Sequence, residues 1–264
     1  METKSIYLQL TDEFNQGRLR TVICSGQAVV LHKLAIMSKD GDWILREDTE
    51  AAQHVLNVLS RRSATYRFGA PFDLRWLSGG WSAHFEFAHT FRVRTDFFTR
   101  PPRISSNSLG KIWREMEGRN PPFIDPPELA EMKKTNREKD FVVIGEIARL
   151  MKDPAEQLLY SRSARDLHSL AMRYPEMLAQ LAGQRPLLLQ LNDDPDDIAR
   201  LLDEEKRQLI RVNEQRLEKY AKAGEKWKQE WPTVCKRVEG LSLLEAHHLI
   251  VEAAEKYLPF TPTE

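Results

Sequence analysis

Short apolar runs with strand-like spacing fill the first hundred positions, and longer runs with helical spacing fill most of the rest. Thr21–Cys24 and Asp42–Arg46 read as brief strands, and Phe72–Leu77 as another. Ala83–Ala88 and Phe91–Phe98 alternate with period two, the pattern of strands with one buried face. Between these lie a short helix over Thr11–Gly17 and a second over Gly26–Met37, with Val29, Val30, Leu34 and Met37 on one apolar face. A third helix is capped by Asp48 or Thr49 and runs through Ala51, Val55, Val58 and Leu59. Ser78-Gly79-Gly80 and His89-Thr90 read as hairpin turns.

The alternation sorts side chains onto two faces. Phe85 and Phe87 point one way, and His84 and Glu86 the other. Phe91, Val93 and Phe97 share an apolar face, and Arg92, Arg94 and Asp96 share the opposite, charged one. Asp40 and Asp42, two apart, project together, with Trp43 and Leu45 on the reverse. Residues 100–127 are rich in proline and polar residues and hold one short helix near Leu109–Met116. Beyond them helices are expected at 127–134, 138–151, 154–173, 175–182, 196–230 and 241–257. Asp153-Pro154 opens one and Pro195 another, by capping and first-turn proline. The fold class expected is α/β (α+β): a mixed sheet with helices on one face over residues 1–120, then an all-helical domain over 121–264 closing a cleft.

Composition narrows the classes. Lys plus Arg and Asp plus Glu both number 39 among 264 residues, so net charge is zero and a strongly basic nucleic-acid binder is disfavoured. Two cysteines, Cys24 and Cys235, are too few for a disulfide framework. Met1-Glu2-Thr3-Lys4 lacks a signal-peptide pattern, and no apolar stretch is long enough to span a bilayer. A cytoplasmic protein with no membrane partner is the expectation. None of the seven histidines has zinc-ligand spacing, and neither a Walker A loop nor a Gly-x-Gly-x-x-Gly fingerprint is present.

The distinctive chemistry is acidic. Asp40, Asp42 and the strand residue Asp96 are among the parts needed to hold Mg²⁺ (or Mn²⁺) and a nucleoside triphosphate over an acceptor hydroxyl. Mg²⁺ takes hard oxygen ligands from a few carboxylates together with phosphates and water. Asp40 and Asp42 could bridge two ions, while Asp96 binds the catalytic one and orients the acceptor proton. Ser25 and Gly26 precede a helix, where free N–H groups favour phosphate and glycine allows close approach.

This order of parts resembles the minimal nucleotidyltransferase superfamily, related to DNA polymerase β. Its pattern is an apolar residue and a Gly-Gly or Gly-Ser pair, about a dozen residues, Asp-x-Asp or Asp-x-Glu, and a distant third Asp on a strand. Ser25-Gly26, Asp40, Asp42 and Asp96 match in position. Ser25–Leu45 is similar to bacterial members such as the toxins of type IV (AbiE-like) toxin–antitoxin systems, and Asn136–Ile144 is similar to the helix start that follows the catalytic domain there. The order Ser-Gly departs from the family, and Gly41 replaces an apolar residue; glycine inside a strand weakens it and marks a bulge. The resemblance implies transfer of a nucleoside monophosphate from an NTP such as ATP to RNA (tRNA), a protein or a small molecule, and a possible antitoxin partner.

Other residues are open. Arg94 and Lys139 are candidate nucleotide ligands, or Arg94 neutralises Asp96 and Lys139 belongs to a helix-start salt bridge with Asp140. The helix over 196–230 either packs on its own domain or forms a partner-binding or self-association arm. Rival readings are a catalytically idle interaction protein that keeps the fold, and an RNA-binding module.

Overall fold

The computed structural model describes residues 5–192 and 194–262. Met1 to Lys4, where the sequence shows no leader pattern, lie outside them. Contacts divide the chain into two compact units, one of residues 1–124 with 218–264 and the other of residues 125–217. The sequence pattern alone put everything past residue 120 into one helical domain. The last 47 or so residues instead share a core with the N-terminal part.

The first unit begins with α1 (Ile6–Phe14), β1 (Thr21–Ile23), α2 (Ser25–Leu31), β2 (Gly41–Leu45), α3 (Thr49–Arg61) and β3 (Thr65–Tyr66). It continues through α4 (Leu74–Leu77), β4 (Ala83–Ala88), β5 (Arg92–Phe98) and α5 (Ser106–Met116). The five strands form one mixed sheet in the order β1-β2-β5-β4-β3. The β2–β5 pair is parallel and the other three pairs are antiparallel. Helices α6 (Pro126–Lys133), α7 (Glu138–Leu150), α8 (Pro154–Tyr160), α9 (Ala164–Arg173) and α10 (Pro175–Leu181) follow, then a 3₁₀ turn over Pro186–Gln190. The chain ends with α11 (Pro195–Ala223), α12 (Glu225–Val238) and α13 (Leu243–Tyr257).

Period-two alternation builds the sheet as expected. Phe85, Phe87, Val93, Phe97, Trp43 and Leu45 are buried on one face. Trp43 stacks on Phe97 at 5.3 Å with the rings 17° from parallel, and Phe14 meets both edge-on. The Trp43 indole N–H donates to Thr11 Oγ1 at 2.9 Å, and that hydroxyl donates to Tyr7 O, so the polar atoms introduced with α1 are paired inside the core. Asp48 caps α3 by accepting from the Ala51 N–H, which fixes Val55, Leu56, Val58 and Leu59 against the interior.

Some expectations fail locally. The helix after Ser25 stops at Leu31, because Lys33 adopts φ +63° and the apolar Ile36 and Met37 are exposed. Phe72–Leu77 is no strand: Asp73 accepts from the Arg75 N–H and caps α4. Ser78-Gly79-Gly80 therefore links a helix to a strand rather than closing a hairpin. Phe91 lies outside β5 and is 53% exposed. The helix expected over 154–173 breaks at residues 161–163, and the long C-terminal helix breaks at Gly224.

Three indoles tie residues 218–264 to the N-terminal stretch. Trp76, Trp81 and Trp227 donate to the carbonyls of Leu258, Pro259 and Gly69 at 2.8–3.0 Å. Trp76 and Trp227 are fully buried with Ile250, Ala253 and Ala254. Beside them the Tyr66 hydroxyl meets His247 Nδ1 at 2.7 Å and accepts from the Phe72 N–H. Burial, and then the adjacent His248, hold His247 at about 4, below its ordinary 6.5. A histidine kept neutral in the fold takes up fewer protons than the unfolded chain. Its contribution is complete above pH 6.5 and is lost as pH falls toward 4.

Two stability measurements check this packing. A Cβ at Gly41 would stand 2.4 Å from the Trp43 ring and 2.6 Å from Tyr7, so Gly41→Ala should destabilise by about 1–3 kcal/mol in urea unfolding. Between pH 7 and pH 4.5 the wild type should lose on the order of 2 kcal/mol more than His247→Gln; equal losses would show that His247 is not the titrating group.

Candidate active site

The charged face of the sheet is set by strand register. In the parallel pair β2–β5, Asp42 stands opposite Asp96, and in the antiparallel pair β4–β5, His84 stands opposite Asp96. Side chains of directly paired residues lie on one face about 5 Å apart. One row across the sheet thus reads Asp42, Asp96, His84, and a second holds Arg94 opposite Glu86. Asp40 precedes β2 on the same side, with its Oδ1 3.9 Å from an Arg94 guanidinium nitrogen.

Asp96 is 20% exposed and flanked by Arg67 and His84. His84 Nδ1 is 2.8 Å from Asp96 Oδ1, off the direction of a good hydrogen bond, and His84 Nε2 shares a hydrogen bond with Ser82 Oγ at 2.9 Å. Arg67 donates a long bond to the same carboxylate oxygen at 3.4 Å. Gly69 makes room for the imidazole: a Cβ there would lie 2.4 Å from His84 Cδ2. Asp40 Oδ1 is screened from solvent and has no hydrogen-bond partner among the described residues. Tyr7 closes this corner, donating to Lys39 O at 2.8 Å. Burial, and then the charge of Asp40, raise the Tyr7 hydroxyl above its ordinary value.

Ser25 and Gly26 abut the acidic pair. The Cys24 N–H donates to Asp42 O, so the chain leaves β1 beside Asp42 and turns at once into α2. Ser25 makes that turn with φ +52°, the left-handed region that a non-glycine residue seldom occupies. Gly26 is required by close approach, since a Cβ there would lie 2.3 Å from Ser38 Oγ. Ser38 and Gln27 both donate to Asp40 O, fastening the loop before β2 to the start of α2. Gly41 lies within the regular β2 ladder, and it is small because Trp43 and Tyr7 close over it.

Ser25, Gly26, Asp40, Asp42, Arg94 and Asp96 therefore share the first unit, on β1, β2 and β5 or their ends. Lys139 belongs to the second unit, exposed in the first turn of α7. Its neighbour Asp140 is buried and accepts from Thr135 Oγ1 and Arg137 Nε, with Lys133 Nζ 3.7 Å away, so it serves the local fold. The sequence reading missed Arg67 and Tyr7. Arg67 follows a two-residue strand with no alternation to read, and α1 begins five residues before the expected helix.

Among the described residues no three His, Cys, Asp or Glu side chains converge as a ready-made metal cage. The donor set still fits Mg²⁺ delivered with a nucleotide. That ion uses one or two carboxylates and draws its other oxygens from phosphates and water. Asp42 and Asp96 supply a neighbouring pair, and Asp40 Oδ1, though 3.9 Å from an Arg94 nitrogen, accepts no hydrogen bond among the described residues.

The chain matches no protein-family model and no curated protein. It is similar to a solved structure described as a "putative nucleotidyltransferase from H. pylori", at 11% identity and a TM-score of 0.38, covering 79% of this chain and 94% of that one. No described helix is long and apolar enough to cross a membrane.

Because these carboxylates are partly exposed, they are not expected to hold the fold together. Asp40→Asn, Asp42→Asn and Asp96→Asn should each shift unfolding free energy by less than about 1 kcal/mol in denaturant titrations. A larger loss at Asp96 would assign it to the structure instead.

Proposed function

We propose that the first unit is an Mg²⁺-dependent nucleotidyltransferase that moves a nucleoside monophosphate from an NTP to an acceptor hydroxyl. The observation that carries this reading is the register of Asp42 with Asp96, with Asp40 just upstream on the same face. Mg²⁺, bound with the triphosphate through Asp40, Asp42 and Asp96, would neutralise charge at the attacking and leaving oxygens. Arg94, 41% exposed beside Asp40, would bind a phosphate. Ser25 and Gly26, at the turn beside Asp42, would lie against the phosphates, where Gly26 keeps the backbone open.

Asp96 would take the acceptor's hydroxyl proton or hold that hydroxyl in line. Arg67 and His84 sit against one oxygen of Asp96 and would bias the orientation of its carboxylate. The acceptor class, RNA, protein or small molecule, and a toxin role with an antitoxin partner rest on the sequence resemblance.

A second reading has its own support. Asp96 is already engaged by Arg67 and His84, and no three-ligand cage is assembled among the described residues, as in a protein that keeps the fold for binding alone. Labelling separates the two. Purified protein incubated with each α-labelled NTP, Mg²⁺ and cell extract should transfer label to one macromolecule or small acceptor. Asp42→Ala should reduce the transfer at least about a hundredfold. No label with any NTP, or equal labelling by the variant, favours the binding protein.

A further inference from the structure

The second unit carries a half-open pocket of about 560 Å³ whose charged lining does not balance. We propose that it binds a small molecule through one anionic oxygen group, a carboxylate or a phosphate. This inference is independent of the nucleotidyl-transfer reading, because every residue of the wall lies within 125–217.

The imbalance centres on Glu205. Arg185 engages both of its oxygens, Nε to Oε1 at 2.9 Å and Nη2 to Oε2 at 2.8 Å. Arg162 adds a further bond to Oε2. Two guanidinium groups thus share one carboxylate. Arg185 is 3% exposed and also donates to Leu158 O and Ser161 O, so its donors are used. Arg162 is 9% exposed, and its Nε is buried without a hydrogen-bond partner. The third cation, Lys134, pairs singly with Glu131 at 2.5 Å and faces the Tyr160 ring. The wall therefore carries the buried Arg162 and Arg185 and the partly buried Lys134 against Glu131 and Glu205, while Glu204 and Arg211 cancel at the exposed rim. Behind the wall Glu128, Glu156 and Asp140 stand near Lys133 and Arg137.

A buried guanidinium N–H without an acceptor is unfavourable, and a ligand oxygen would satisfy the one left on Arg162. The fold commits specific features to placing this one. The chain leaves helical geometry at residues 161–163, and Gly145 on α7 lets Arg162 pack close, since a Cβ there would stand 3.2 Å from Arg162 Cβ. The guanidinium then lies over Phe141. Burial depresses both Arg162 and Lys134, against the opposing pull of Glu205 and Glu131. Leu187, Leu201 and Leu209 give the cavity an apolar side for the rest of the ligand.

The test uses the full chain in EDTA at constant ionic strength, titrated by calorimetry with sodium phosphate and separately with sodium acetate, with thermal unfolding alongside. Saturable binding of phosphate, of acetate or of both, with a matching rise in Tm, is expected, and the responding ion identifies the source of the oxyanion. Arg162→Gln leaves Glu205 its Arg185 fork, so it should fold and bind at least roughly tenfold more weakly. If that variant does not fold, Lys134→Gln should show the same weakening. Arg94→Gln, which removes the cation of the charged sheet face, should bind as the wild type does, which separates the two sites. No saturable binding of either ion, undiminished binding in the folded wall variant, or loss in Arg94→Gln would overturn the proposal.

Discussion

The parallel pairing of β2 with β5 is the constraint on which the first unit depends. One register sets two faces at once. On the apolar side it places Trp43 opposite Phe97, whose stacked rings anchor the core beneath α1. On the charged side it places Asp42 opposite Asp96. A slip of one residue would expose the aromatics and bury the carboxylates. Core packing therefore enforces the geometry of the acidic face, and the candidate chemistry needs no separate stabilising device.

The surroundings refine that geometry. Gly41 is small because two rings close over it, and Gly26 because Ser38 presses against it, so both glycines keep the acidic loop tight against β1. His84 and Arg67 hold Asp96 from the other side. Asp40 Oδ1, screened from solvent and accepting no hydrogen bond among the described residues, is where the arrangement remains incomplete, and such an acceptor is what an incoming cation would satisfy.

The strands were legible where one face is buried. His84, Arg94 and Asp96 were assigned to the charged side by alternation alone, and the Asp48 cap marked the start of α3. Reading failed where apolar residues serve other ends. Ile36 and Met37 look like helix positions but are exposed, and Phe72, Trp76 and Leu77 are buried from a capped helical turn rather than a strand. The assignment of residues 218–264 to the first unit rests on indole-to-carbonyl bonds that join residues more than 150 positions apart, which leave no local signature. Arg67 and the Arg162–Glu205–Arg185 cluster were hidden for the same reason, since their partners are distant in sequence.

The account rests on Asp42 and Asp96 acting as one unit toward a metal–nucleotide complex. A double-mutant cycle on Mg²⁺-dependent NTP affinity, with Asp42→Asn, Asp96→Asn and the pair, addresses that most directly. Strong non-additivity is expected, the double variant binding little worse than either single one. Additive losses, or NTP binding that ignores both carboxylates, would contradict it.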